Sequence, residues 1–171
     1  MGFLDFLEKS NLPPKFPTVL TILPPQAVSE IKQGRLPQLN TNTIFLKSGE
    51  ICHYIDKSIL LKNKTKKSVI RKGGGYSMPG FLKGTRINLN RTRADIEEKS
   101  VVEQFRGILY ITNKRIIFKA NQNGFEKSNS SLTSIMPYSN AVDLQYDSTN
   151  YSLLVPDGNL IYAVMALLQK Q

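Results

Sequence analysis

The chain has 171 residues, 40% of them apolar, with 23 basic against 13 acidic side chains and a formal net charge of +10. That length suits one ordinary domain with a short appendage and suffices for a real core, and its 11 Gly and 9 Pro exclude a collagenous or wholly disordered chain. A single cysteine, Cys52, excludes an internal disulfide and a multi-cysteine zinc site, so a reducing cytoplasm is the expected compartment.

No run approaches the roughly 18 apolar residues of a membrane-spanning helix. Residues 1–9 put Phe3, Leu4, Phe6 and Leu7 on one helical face, with Asp5 and Glu8 away from it. The acids and the missing basic flank argue against a signal peptide, and Phe6 stands where a myristoylation signal needs Ser or Thr. Residues 11–25 hold five prolines and read as an extended linker. Pro25 suits the first turn of a helix over 27–32, with Gly34 as its stop. This predicts an amphipathic and proline-rich appendage over 1–40, dispensable for folding, and a domain over 41–171.

Beyond residue 40 the pattern turns to strands. Residues 43–47, 50–55, 58–62 and 69–71 read as four short ones. Gly73, Gly74, Gly75 and Gly80 mark a loop, and 85–91 alternates like a half-buried strand. The clearest local signal is 107–119, GILYITNKRIIFK: two apolar runs around Thr112-Asn113-Lys114-Arg115. Asn tolerates positive φ, so a two-residue hairpin turn is predicted there. Short strands follow at 124–127, 131–136, 141–146 and 151–155. Pro156-Asp157-Gly158 then turns into a helix over 159–169 with a wide apolar stripe, Asp157 being its candidate cap. Antiparallel strands closed by one helix make an α+β fold, a bent sandwich or partial barrel.

The charge is uneven. Residues 51–100 carry twelve bases and four acids, whereas 1–50 and 101–171 carry +1 each. From Lys57 to Arg93 there are eleven basic residues and no acid. Solvated faces usually mix both signs, so this run marks Lys62, Lys64, Lys66, Lys67, Arg71 and Lys72 as an anion-binding face. Short hairpin strands are expected to fold 62–67 beside 71–72.

Catalytic and metal chemistry find little support. Cys52 and His53 are adjacent, so on a strand they point to opposite faces and form neither a nucleophile–base pair nor a ligand pair. Cys52 reads as a small buried hydrophobe. His53 is the single histidine, and no serine sits in a nucleophile elbow. The glycines beside Lys72 lack the G-x-x-x-x-G-K-S/T spacing of a nucleotide loop. Asp143 and Asp147 fall on a strand and its turn, and Glu97 and Glu98 read as solvated. No metal, no cofactor and no enzymatic activity are expected. Arg115 reads as a turn anchor.

The hairpin residues Gly107, Leu109, Tyr110, Thr112, Asn113, Lys114, Arg115, Ile116 and Phe118 resemble those of bacterial pleckstrin-homology-like domains and the related GRAM domains. The Gly49-Glu50 strand start and the terminal helix are also similar, and the resemblance spans about 43–169. It implies a seven-stranded, strongly bent sandwich or partial barrel capped by one helix. It also implies a module that binds phosphoinositides, anionic lipids, peptides or proteins rather than a catalyst. In lipid-binding members a basic loop joins the first two strands; Lys62 to Lys67 with Arg71 is placed similarly.

Three functions follow as expectations. The first is a binding module whose basic face meets an acidic lipid or phosphoinositide-like headgroup, cytoplasmic and peripheral at the inner membrane face. The second is an adaptor for an acidic protein partner, or a homo-oligomer, using a sheet edge or the N-terminal segment. The third and weakest is nucleic-acid binding, because only Tyr76 and Phe81 interleave the basic run where stacking platforms use several aromatics.

Overall fold

The computed structural model describes residues 16–71, 76–79, 86–89 and 94–171. The amphipathic 1–9 segment, Lys72 and the glycines at 73–75 and 80 lie outside the described residues. The elements are α1 (Pro25–Lys32), β1 (Cys52–Arg71), β2 (Tyr76–Pro79), β3 (Arg86–Leu89), β4 (Ala94–Thr112), β5 (Arg115–Ala120), β6 (Phe125–Ser128), β7 (Ser134–Pro137), β8 (Ala141–Tyr146), β9 (Thr149–Leu154) and α2 (Gly158–Gln169). The chain divides into two units. The first holds the chain up to Lys62 and from Glu103 onward; the second is Asn63–Val102.

Seven strands form one open antiparallel sheet in the order β6-β5-β4-β1-β9-β8-β7, and β2 pairs with β3 separately, Tyr76 opposite Leu89. The fold class is therefore the expected one. In the sheet order β5, β4 and β1 lie between β6 and β9, about 19 Å across if the sheet were flat. Yet Phe125 of β6 stacks on Tyr151 of β9 with ring centroids 3.9 Å apart. Only a sheet bent over on itself brings those rings together. Phe118, Leu109, Ile111, Val142, Leu144 and Leu153 fill the fold it makes.

The helix α2 packs against β7 and β8. Asp157 caps it, its carboxylate accepting from the amides of Asn159 at 2.9 Å and Leu160 at 3.3 Å. Gly158 lies directly against the carbonyls of Tyr138 and Ala141, where any Cβ would collide. Leu160, Ile161, Val164 and Met165 form the buried stripe, as the periodicity predicts.

Two expectations change. The segments 50–55, 58–62 and 69–71 are not separate short strands; from Cys52 to Arg71 they are one strand of 20 residues. Its partner β4 begins at Ala94, in a stretch whose Asp95, Glu97, Glu98 and Lys99 hide any strand alternation. The segment 43–47 is a loop rather than a strand.

The second change concerns residues 16–40. They do not behave as a loose linker. Leu23, Ala27 and Ile31 belong to the main core cluster, and α1 packs against α2. The buried Asp56 explains how the proline stretch is held. Its carboxylate accepts the Thr21 hydroxyl at 2.6 Å and the Ile22 amide at 2.7 Å. Further along, the Leu39 amide donates to the Cys52 carbonyl at 2.8 Å, and His53 Nδ1 pairs with the Pro37 carbonyl at 2.6 Å. Cys52, His53 and Tyr54 are consecutive and all buried. Strand neighbours face opposite ways, so β1 is covered on both faces here, one of them by this strap. Prolines signal extended chain but not whether that chain is docked, so the core extends on both sides of residue 40.

Candidate functional site

Lys62, Lys64, Lys66 and Lys67 are all exposed on β1. Lys62, in the first unit, donates to Asn123 Oδ1 at 2.7 Å, and Asn123 holds a left-handed φ of 58°. In the second unit Lys64 and Lys66 share one face of the strand and Lys67 takes the other. Arg71 closes the same strand. The expected hairpin that would fold 62–67 beside 71–72 is not formed, because β1 runs through. Lys64 and Arg71 are about 23 Å apart at roughly 3.3 Å per residue. Lys62, Lys64, Lys66, Lys67 and Arg71 are thus spread along one strand, and Lys72 lies outside the described residues. The second unit still has ten basic and three acidic residues, a net +7.

Cys52 is fully buried, and burial first, then the nearby Glu50 charge, pushes its thiol up to about 11. His53 is spent on the Pro37 carbonyl. Among the described residues no three His, Cys, Asp or Glu side chains converge to hold a metal, and no helix is long and apolar enough to cross a membrane.

The motif Thr112-Asn113-Lys114-Arg115 does form a two-residue hairpin turn between β4 and β5. Its chemistry differs from the expectation. The non-glycine residues with positive φ among those described are Asn123 and Asp147, and Asn113 is not one of them. The turn is closed by the Thr112 hydroxyl, which accepts the amides of Lys114 at 3.1 Å and Arg115 at 3.0 Å. That leaves the side chains of Asn113, Lys114 and Arg115 for a loop more than 60 residues away. Asn113 Oδ1 accepts the Ile51 amide at 2.9 Å, and its Nδ2 donates to the Gly49 carbonyl at 3.0 Å. Lys114 Nζ donates to the Ser48 carbonyl at 2.5 Å. Gly49 has φ 69°, which glycine takes without strain.

Arg115 is the centre of the clamp. Its Nε donates to Glu50 Oε1 at 2.7 Å, its Nη1 to Glu126 Oε1 at 2.7 Å and its Nη2 to the Phe45 carbonyl at 2.6 Å. The Glu50 side chain is fully buried and also accepts the Thr112 hydroxyl and the Lys47 amide, each at 2.7 Å. Burial alone raises a carboxyl pKa. Here the hydrogen bonds from Arg115, Lys47 and Thr112, with the Arg115 charge, outweigh it and hold Glu50 at about 2. The same bond to Glu50 raises Arg115, against its own burial.

The outcome is a fixed loop over 43–50 with an uncovered tip. Phe45 is 98% exposed and Leu46 38%. No periodicity marks this feature, because 43–47 reads as a strand until its anchors are known. A second feature is a groove of about 470 Å³ between the strap, β1 and β4, lined by Val19, Leu20, Ile59 and Ile108 with Lys57 and Arg106. Leu20 and Ile22 beside it are exposed.

No protein-family profile and no curated protein sequence matches this chain. Among solved structures, the Vps36 N-terminal PH domain is similar at a TM-score of 0.42 and 16% identity, over 79% of this chain and 91% of that one.

Proposed function

We propose that the protein is a non-catalytic binding module of the bacterial pleckstrin-homology or GRAM type whose basic residues engage an anionic surface, an acidic lipid or a phosphoinositide-like headgroup. The observation that carries this reading is the charge of residues 63–102, +7 in 40 residues, with Lys62, Lys64, Lys66 and Lys67 all exposed on β1. Each Lys or Arg near an anionic leaflet contributes about 1 kcal/mol, so half a dozen make a salt-sensitive attachment. A strand-long line of bases suits a surface better than a single headgroup. On this reading the protein works in the cytoplasm, peripheral at the inner membrane face.

The test is flotation with phosphatidylcholine vesicles, with and without phosphatidylserine. Wild-type protein is expected to float only with the anionic vesicles and to lose them as salt rises. The variant carrying K64E, K66E and K67E is expected to stay behind. Flotation that survives the triple reversal, or that ignores salt, overturns the reading. The groove beside Lys57 and Arg106 favours the adaptor as second reading, with an acidic peptide as occupant. Titration with an acidic peptide, read against Arg106→Glu, separates the two.

A further inference from the structure

The backbone around Phe45 is tied from four places. Thr43 shares a hydrogen bond with the Tyr110 hydroxyl at 2.6 Å, and its carbonyl accepts Lys119 Nζ at 2.6 Å. The Phe45 carbonyl accepts Arg115, the Lys47 amide donates to Glu50 and the Ser48 carbonyl accepts Lys114. This clamp includes a buried ion pair, yet the ring it positions is 98% exposed. A ring in water adds no core area, so the fold itself gains nothing from it. A pre-ordered apolar tip does lower the entropy lost on binding.

The surroundings indicate what it binds. Lys47, Lys114, Arg115 and Lys119 touch this loop or its clamp, against Glu50 and Glu126, a local net of +2. Two copies meeting tip to tip would press like charges together. An anionic bilayer satisfies both parts: lipid phosphates meet the lysines and the interfacial zone takes the ring. We propose that Phe45, with Leu46, is a tip that inserts into the interfacial zone of an anionic membrane. This rests on the membrane reading above and adds to it a contact in the first unit, separate from the basic residues of 63–102.

The chain contains no tryptophan, so Phe45→Trp creates a single fluorescent reporter at the tip. With phosphatidylserine-containing vesicles its emission is expected to shift to the blue and to be quenched by brominated acyl chains. Flotation with unshifted, unquenched emission overturns the insertion and leaves the membrane reading standing. Absence of flotation overturns both. A blue shift that follows protein concentration without lipid assigns the tip to a second copy and overturns the insertion. The companion variant is Phe45→Ser, which is expected to melt with the wild type. Its vesicle partitioning is expected to drop about tenfold, the loss of a buried aromatic side chain. Unchanged partitioning overturns the proposal.

Discussion

The two units handle charge in opposite ways. In the first, the buried charges have partners: Arg115 pairs with the buried Glu50 and with the half-exposed Glu126, and Asp56 accepts from Thr21 and Ile22. That unit carries only +3 on 131 residues and, among the described residues, contains every residue of the core cluster. The second concentrates +7 in 40 residues, and its Lys64, Lys66 and Lys67 are exposed. Buried charges stabilise only with their partners in place, whereas exposed like charges repel one another until an anion or salt screens them. The first pattern builds structure. The second gathers positive charge on exposed lysines, which is the reason to look for an anionic partner there.

The largest effect expected is on the first unit. Expressing residues 41–171 alone removes Leu23, Ala27 and Ile31 from the core and leaves the Asp56 carboxylate without Thr21 and Ile22. The combined cost is on the order of 6 kcal/mol or more, comparable with the whole stability of a domain. Circular dichroism should show an unfolded or aggregated fragment. A fragment that folds and melts like the full chain would break the comparison, because the strap would then be ornamental.

Arg115→Ala comes next. It strands the buried Glu50, a loss of about 3–5 kcal/mol by denaturant titration. A cost below about 1 kcal/mol would class the clamp with surface ion pairs.

Acid titration sharpens the same point. Glu50 sits at about 2 in the folded chain, below its ordinary 4.5, so the unfolded chain binds the proton more readily. Its stabilisation is complete above 4.5 and is lost as pH falls through about 2. The full span is about 3 kcal/mol. Glu50→Gln should therefore be less stable than wild type near neutrality and should flatten this acid limb. An unchanged limb would assign the acid sensitivity to other carboxyls.

The smallest effect lies in the second unit. Reversing Lys64, Lys66 and Lys67 to Glu should change stability by about 0.5 kcal/mol or less, since all three are exposed. A large destabilisation would mean that these charges are structural after all and that the two units are alike.

The sequence by itself determined the features that repeat locally: the α+β class, the stripe and cap of α2, the hairpin at Thr112–Arg115 and the acid-free charge run. Each depends on neighbours a few residues apart, where strand and helix periods leave a readable pattern. Tertiary structure decided the rest. Arg115 finds Glu50 at a separation of 65 residues, and Asp56 finds Thr21 at 35. Those partners made a docked strap of a proline stretch and a held tip of an apparent strand at 43–47. Hydrogen bonds and burial over such distances carry no local period, so only the folded chain shows which polar groups meet and which apolar side chains, Phe45 the most exposed of those described, remain uncovered.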